Sequence, residues 1–373
     1  MNRLFDTTVI KGLELRNRFV RSATWEGLAS EEGRCTDRLK KLMLELVRGE
    51  VGLIISSHAF VSKEGQAGPW QLGIYSDHLI SGLKEMTDSV HKTGGKIILQ
   101  LAHAGFRSPA ELTGMEVMGP SAREVEPCCR EMTASDIGMV TEAFANGARR
   151  AQLSGFDGIQ IHAAHGYLLS QFLSPAYNKR EDEYGGPLGN RVRILLEVLR
   201  GIRSQVGSGY PVMAKINSQD FLPDGLSEDE MLQVAVLLEE AGIDAVELSG
   251  GTGDSGKFVP VRLGKIGSEE KEAYYRESAK NFKKTVHTPL MLVGGIRSYS
   301  VASHIIEKGI ADYISLSRPL IREPDLIRRW KSGDSRKAEC LSDNLCFRPI
   351  RAGKGMYCYA EEVIRKRRLG AGD

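Results

Sequence analysis

Short apolar runs alternate along the chain with longer segments whose apolar residues recur about every 3.6 positions. Most of the runs are bounded by Gly or Pro, which is typical of buried strands, whereas the longer segments are typical of amphipathic helices. We therefore predict eight strands separated by helices. The predicted strands span residues 17–22, 52–56, 96–101, 155–161, 211–216, 242–248, 289–294 and 309–316.

A strand followed by a helix, repeated in this way, favours an α/β fold in which a parallel sheet closes into a single (β/α)8 TIM barrel. We assign residues 1–335 to the barrel, with an N-terminal hairpin over 9–16 that caps the end opposite the catalytic mouth. Residues 336–373 are expected to form a short C-terminal extension with a cysteine segment, not an independent domain. Helix starts are predicted at Ser135-Asp136 before 137–154, at Asn190 before 191–206 and at Ser227 before 231–240, and long loops at roughly 103–134 and 250–270 are expected at the mouth.

The charge balance argues for a small-molecule substrate. The 373 residues carry 50 Lys and Arg against 48 Asp and Glu, and a net charge of +2 creates no field that would favour nucleic acid or an anionic membrane. The chain has no apolar run near the ~18 residues of a membrane span and no signal-peptide core at its start. We therefore expect a cytoplasmic protein whose six cysteines are reduced thiols or ligands.

The most informative residues are His162, His165 and Tyr167, which follow the predicted strand 155–161. Catalytic side chains collect where barrel strands end. Two imidazoles three residues apart can ligate a metal, donate hydrogen bonds to a carbonyl or stabilise a turn. The metal interpretation lacks a third ligand, and no HExxH motif accompanies the pair. Tyr167 adds an acid, so the trio suits the polarisation and protonation of an unsaturated carbonyl compound.

A second signal lies at the ends of the last two predicted strands. Gly294 and Gly295 follow the seventh strand, and Ser317 and Arg318 follow the eighth. A pair of glycines alone is commonly just a turn, but barrels often bind phosphate at these two strand ends. The two segments together favour a phosphorylated cofactor.

These residues resemble the old yellow enzyme family of FMN-dependent NAD(P)H oxidoreductases over nearly the whole chain. The resemblance is closest to the bacterial branch with a His/His pair and to the barrel domain of 2,4-dienoyl-CoA reductase. It implies non-covalent FMN at the barrel mouth, with NAD(P)H as reductant. The motifs that carry it are Leu15–Ser22, Gln100–Gly105, His162–Gly186, Lys215, Val293–Gly295 and Ser317-Arg318.

The resemblance also implies roles for individual residues. His162 and His165 would bind the carbonyl or nitro oxygen of the substrate, and Tyr167 would deliver a proton to the α-carbon after hydride reaches the β-carbon. Gln100 would bind the pyrimidine edge of the flavin, and Lys215 would lie near N1 and the C2 oxygen. The other cofactor-binding residues would be Ala23, Thr24, Trp25, His58, Gly294, Gly295, Ser317 and Arg318.

Three departures from the family pattern bear on function. Trp25 stands where many relatives have Thr or Cys, and Lys215 replaces the more frequent Arg, which keeps the charge but loses the planar fork. The third is in the C-terminal segment, which resembles the four-iron cluster site of multidomain relatives but has Asp343 in place of one cysteine. Iron–sulfur clusters normally use four cysteines, so we do not expect a cluster. The remaining thiols are Cys340, Cys346 and Cys358.

The sequence thus predicts an FMN-dependent NAD(P)H oxidoreductase that reduces the C=C bond of activated alkenes such as enones and enoates. Three alternatives stay open: an FMN-dependent dehydrogenase or demethylase of the trimethylamine dehydrogenase type, a low-turnover flavin redox protein, and a metal-dependent barrel hydrolase using His162 and His165. The first needs the same fold, and the last predicts a colourless protein. Relatives are often dimers or tetramers, so the resemblance allows for a homo-oligomer.

Overall fold

Eight parallel strands close into a barrel in a computed structural model that describes residues 3–264 and 266–370. The barrel strands follow chain order, and the last pairs with the first through Ser315 and Val20. The prediction of a (β/α)8 barrel is confirmed. The strands are β1 (Thr8–Ile10), β2 (Leu13–Leu15), β3 (Phe19–Arg21), β4 (Leu53–Phe60), β5 (Ile97–Ala102), β6 (Met118–Gly119), β7 (Arg130–Glu131), β8 (Ile159–Ala163), β9 (Val212–Asn217), β10 (Ala245–Ser249), β11 (Leu290–Leu292) and β12 (Tyr313–Leu316), of which β3–β5 and β8–β12 form the barrel.

The predicted N-terminal hairpin is present as the antiparallel pair β1 and β2. Lys11 and Gly12 connect its strands with φ of 46° and 76°, as a tight hairpin turn requires. Its apolar side chains cluster with interior residues such as Leu53 and Ala245, which begin their strands. The hairpin therefore fills the barrel at the amino ends of the strands and leaves the opposite end for ligands.

Helices surround the barrel, and the main core lies between them and the strands. In β4 every residue is buried, because one face points into the barrel and the other packs on helices. The helices are α1 (Asp37–Arg48), α2 (Ile80–Lys92), α3 (Ala110–Thr113), α4 (Ala134–Leu153), α5 (Leu168–Leu173), α6 (Leu188–Arg191), α7 (Arg193–Val206), α8 (Glu228–Glu240), α9 (Arg276–Thr285), α10 (Tyr299–Glu307), α11 (Arg318–Arg322), α12 (Leu326–Lys331), α13 (Phe347–Arg351) and α14 (Tyr359–Gly370).

Two of the three predicted helix starts differ from the structure. Helix α4 begins after Thr133, whose hydroxyl accepts from the backbone N–H of Asp136 while the Asp136 carboxylate accepts from the N–H of Thr133. Asn190 lies inside the short helix α6 and caps nothing. Ser227 does cap α8, in a capping box with Glu230, as predicted.

The C-terminal extension packs on the barrel mouth. The backbone N–H of Ala338 donates to the carbonyl of Arg297, and the N–H of Met356 donates to the carbonyl of Glu26. Much of the extension is irregular, apart from α13 and α14. The division of the chain at residue 335 stays a prediction. Over the described ranges, no helix is long and apolar enough to cross a bilayer.

Candidate active site

A cavity of about 420 Å³ opens at the carboxyl ends of the barrel strands. Every residue that the sequence assigned to catalysis or cofactor binding lines it. The structure therefore brings together side chains that are distributed over most of the chain. These residues are Ala23, Thr24, Trp25, His58, Gln100, His162, His165, Tyr167, Lys215, Gly294, Gly295, Ser317 and Arg318.

The register of the strands explains part of this convergence. Neighbouring strands pair Glu247 with Lys215 and Lys215 with His162, so these side chains share one level of the barrel. In β4 the pairing with β5 shifts between Ile55 and His58, an irregularity of the kind that re-aims side chains at barrel rims. His58 then pairs with Gln100 at the cavity.

A left-handed turn after β8 aims the catalytic candidates. His165 and Gly166 have φ of 64° and 76°, and the first of these is uncommon for a residue with a side chain. A Cβ on Gly166 would lie 3.1 Å from Cβ of Thr252, so the turn also packs closely against the loop after β10. The N–H of Tyr167 donates to the carbonyl of Ala164 and closes the turn, and His162, His165 and Tyr167 all line the same cavity.

The rings of His58, His162, His165 and Tyr167 form one cluster, in which His162 lies beside each of the other three. Tyr167 stacks on His162 with ring centroids 4.7 Å apart, and its hydroxyl lies 3.3 Å from Nε2 of His58. Nε2 of His165 lies 2.7 Å from Oγ of Ser249. Nδ1 of His162 accepts from the backbone N–H of Ala164. In the neutral ring this leaves Nε2 of His162 as the N–H donor.

Burial keeps all four groups uncharged near neutral pH. It lowers the pKa of His162 and His165 well below their usual value, with nearby imidazoles and Lys215 acting in the same direction. It lowers the pKa of His58 to about 4, helped by Lys215 and Arg21. Burial also raises the pKa of Tyr167 to about 12, against an opposing effect of Arg107. This wall of the cavity therefore presents neutral donors and a protonated phenol.

Beneath this wall lies a buried polar network. Nζ of Lys215 lies 3.2 Å from the carboxylate of Glu247 and donates to the hydroxyl of Ser22. The other contacts of Glu247 are Ser315 at 2.6 Å and Nε2 of Gln160 at 3.0 Å, and Gln160 accepts in turn from Gln100 at 2.6 Å. Burial raises the pKa of Glu247, but Lys215 and these hydrogen bonds hold it below its usual value. Lys215 is thus a buried, paired cation.

The opposite end of the cavity is rich in cations. Arg297 is 3% exposed, and its Nη atoms donate to the carbonyl of Ile296 and to Oγ of Ser342. Its buried Nε finds no acceptor among the described residues. Burial lowers the pKa of Arg297, with Arg318 acting in the same direction, and this exceeds the opposing effect of the nearby Glu272 carboxylate. Among the described residues that line the cavity, Lys215, Arg297 and Arg318 are cationic and none is acidic.

The glycines beside these arginines have no room for side chains. A Cβ on Gly295 would overlap the ring of Tyr274, and one on Gly294 would lie 2.8 Å from the ring of Tyr275. Arg318 donates to the carbonyl of Arg262 and to Oδ1 of Asn344. Two glycines that line the cavity, a buried guanidinium with an unused donor and a second arginine form a donor set that suits a phosphate.

Sequence reasoning missed several lining residues. Arg297 has a local signal, because it follows the Gly294-Gly295 pair by two positions, but it was not assigned. Tyr274 and Phe347 come from a loop and from the extension, where no motif marks them. The loop after β10 also contributes Val259, Pro260 and Val261.

The cysteine segment lines a second cavity of about 550 Å³, which shares Arg318 with the first. Cys340, Cys346, Cys358 and Asp343 all border it, and burial raises the pKa of the Cys346 thiol to about 11. All six cysteines are free thiols. Across the described residues, no group of three or more His, Cys, Asp or Glu side chains could hold a metal ion. That the protein binds no iron–sulfur cluster stays a prediction.

This chain is similar in sequence and in fold to known flavin oxidoreductases and NAD(P)H-dependent enzymes. The NADH:flavin oxidoreductase / NADH oxidase family matches residues 3–337. The chain is 35% identical over 350 residues to an NADH oxidase of Thermoanaerobacter brockii, covering 92% of this chain but 53% of that protein. It is 37% identical over 325 residues to an NADPH dehydrogenase of a Geobacillus strain, covering 86% and 91% of the two chains. A solved old yellow enzyme homologue from Zymomonas mobilis superposes with a TM-score of 0.76 at 27% identity, over 88% of this chain and 92% of the other. The chain thus spans about half the length of the first of these relatives and nearly all of the others.

Proposed function

The chain belongs to the NADH:flavin oxidoreductase / NADH oxidase family, and we propose that it is an FMN-dependent enzyme that uses NAD(P)H to reduce the C=C bond of activated alkenes such as enones and enoates. The resemblance to old yellow enzymes is confirmed by the family match and by the structural likeness. The specific reaction is our inference, and it comes from the residues that line the cavity.

The cavity fits FMN at its cationic end. Arg297 has a buried donor with no acceptor in the described chain, and Arg318, Ser317 and the Gly294-Gly295 amides stand beside it. A phosphate there would satisfy the donors and balance the buried charge. Lys215 and Gln100 would contact the ring system. Bound there, FMN would supply the hydride that adds to the β-carbon of the alkene.

His162 and His165 would hold the carbonyl oxygen of the substrate. Both rings are neutral at pH 7, since burial lowers their pKa values. A neutral N–H donates a hydrogen bond without giving up its proton, so it can stabilise negative charge that develops on the oxygen as hydride arrives. Fixed donors in a water-poor wall are effective in this role because they need little reorganisation.

Tyr167 would protonate the α-carbon. A pKa of about 12 keeps the phenol protonated at pH 7, as a general acid requires. His58, 3.3 Å from its oxygen, would orient the hydroxyl. The observation that carries the proposal is this protonated phenol stacked on one of two neutral imidazoles, in the same cavity as the cationic end.

The dehydrogenase or demethylase alternative is less well supported. Amine substrates are cations near neutral pH, and the described lining has three cations and no carboxylate to receive one. A low-turnover redox protein would share the FMN fit, so turnover must separate the two.

The test is an anaerobic absorbance experiment on FMN-loaded protein. We expect the flavin bands to bleach on addition of NADH or NADPH and to return on addition of cyclohexenone. Bands that bleach and do not return would contradict alkene reduction. A protein that retains no FMN after loading and desalting would contradict the cofactor assignment.

A further inference from the structure

Arg107 stands at the wall of the cavity, between the loops that follow β5 and β10. It ends a single 3₁₀ turn, Gly105–Arg107. Its guanidinium lies on the side of Gly253 where a side chain would stand, since a Cβ placed there would lie 3.1 Å from Cζ of Arg107. Gly253 lines the active-site cavity. The guanidinium is thus adjacent to a residue of the cavity wall.

The guanidinium of Arg107 is only partly engaged. Nη2 donates to Oδ2 of Asp254 at 2.5 Å, and the hydroxyl of Tyr177 donates to the same oxygen at 2.7 Å. Nε of Arg107 is buried, and no described residue accepts from it. The side chain is 23% exposed and that of Asp254 is 42% exposed, so the pair can be reached from solvent. A guanidinium can bind a carboxylate through two parallel N–H donors, and here one carboxylate oxygen meets one of them.

The surroundings carry excess positive charge. A second guanidinium, that of Arg123, lies over the ring of Phe106 at 4.4 Å and acts on Asp254. Burial raises the pKa of Asp254, but Arg107, Tyr177 and Arg123 hold it below its usual value. Two cations therefore share one carboxylate beside Gly253, in the wall of a cavity whose described lining holds no acid.

The same guanidinium acts on the proposed proton donor. Burial raises the pKa of Tyr167, and Arg107 is the charged group that opposes this rise. Gly253, which Arg107 adjoins, lines the same cavity as Tyr167, so Arg107 lies on the side of the cavity wall near the hydroxyl that would protonate the α-carbon. An anionic substituent on that side of the alkene would face Arg107, while the activating carbonyl would face His162 and His165.

We propose that Arg107 is a specificity residue that binds a carboxylate on the substrate, and that the preferred substrates are activated alkenes carrying such a carboxylate on the α-carbon side. Asp254 occupies the guanidinium until substrate arrives and then gives way to the substrate carboxylate. This inference rests on the proposed function, since it takes the positions of the substrate carbonyl and α-carbon from it.

The test compares charged and neutral ligands of the FMN-loaded protein. The probes are 3- and 4-hydroxybenzoate and their methyl esters, each titrated while the flavin absorbance is followed. In the unmodified protein we expect the better-binding acid to exceed its ester in affinity. In Arg107→Gln, the affinity for the acid should fall about 10- to 100-fold, as expected for loss of a charged hydrogen bond, and that for the ester by less than about two-fold. Arg107→Lys should retain part of the preference.

Two further variants sharpen the result. Arg123→Gln removes an equal charge from the neighbourhood of Asp254. It should change the ratio of acid to ester affinity by less than about three-fold, because the Arg123 guanidinium stacks on Phe106. Asp254→Asn removes the competing carboxylate and should raise the affinity for the acid. FMN content should match the unmodified protein in each variant.

Three results would overturn the proposal: an unchanged ratio in Arg107→Gln, an equal loss in Arg123→Gln, or a loss of acid affinity in Asp254→Asn as large as in Arg107→Gln. The proposed function fails differently. In that case neither ester perturbs the flavin, and cyclohexenone does not reoxidise it.

Discussion

Burial has opposite consequences for charge at the two ends of the active-site cavity. At the wall formed by His58, His162, His165 and Tyr167, burial moves each pKa so that the uncharged form prevails. At the other end Arg297 is also buried but stays charged, because a guanidinium does not lose its proton in proteins. The first end therefore suits reversible proton and hydrogen-bond chemistry, and the second suits permanent capture of an anion. One cavity can thus separate reaction from cofactor retention.

Removal of the phenol should give the largest effect. In Tyr167→Phe we expect reoxidation of the flavin by cyclohexenone to slow about 10²- to 10⁴-fold, because general acid catalysis is lost. Reduction of the flavin by NAD(P)H should be unaffected, since that half-reaction needs no proton from Tyr167. Stopped-flow absorbance measures both steps. Equal slowing of the two half-reactions would contradict the assigned role of Tyr167. It would also contradict the separation of proton chemistry from cofactor binding at the two ends of the cavity.

Loss of the buried Arg297 should weaken FMN binding and leave the reaction of the bound flavin unchanged. Arg297→Gln should lower FMN affinity about 10- to 100-fold, measured by fluorescence titration of the apoprotein, because a charged hydrogen bond is lost. Arg150→Gln is the matched control. Arg150 pairs with Asp77 at 2.6 Å and lines neither cavity, so its loss should leave FMN affinity nearly unchanged. Equal effects of the two variants would show that Arg297 has no special part in binding.

The buried pair of Lys215 and Glu247 permits a test with a smaller expected effect, whose direction is also predicted. Glu247→Gln removes the anion that balances Lys215 at 3.2 Å. The unbalanced cation should favour the reduced, more negative flavin and raise its midpoint potential by roughly 30 mV, a tenfold change for a two-electron couple. Spectroelectrochemistry on FMN-loaded protein gives the value. A potential that is unchanged or lower would mean that Glu247 does not temper the charge of Lys215.

The smallest expected effect is that of pH on the rate of the oxidative half-reaction near neutrality. The pKa of His58 lies near 4 and that of Tyr167 near 12, and those of His162 and His165 are lowered well below the usual value. The oxidative half-reaction should therefore be flat between about pH 6 and pH 9. A histidine with a lowered pKa charges only at acid pH, so the rate should fall on acidification and not near pH 6.5. An inflection near 6.5 would show that the imidazoles titrate as free groups.

Local motifs were predictable from sequence, whereas the contacts between distant segments were not. His162, His165 and Tyr167 stand within six positions of one another at the end of β8, so their shared location followed from the barrel pattern alone. The contact of Tyr167 with His58 joins residues 109 positions apart, and that of Arg107 with Asp254 joins residues 147 apart. Such pairs depend on strand register and loop packing, which short-range patterns do not encode. The error at the start of α4 has a local reason. Asp136 was taken as part of the helix start, whereas it is the capping-box partner of Thr133, three residues before it.

The seating of the extension on the barrel mouth makes two equilibria interdependent. Ser342 accepts from Arg297, and Asn344 accepts from Arg318. Whatever orders these arginines also favours the docked extension, and the docked extension holds the arginines ready. By thermodynamic reciprocity, FMN should favour the docked extension by the same factor by which docking raises FMN affinity. FMN should therefore protect the segment 336–358 from limited proteolysis, and cleavage there should weaken FMN binding.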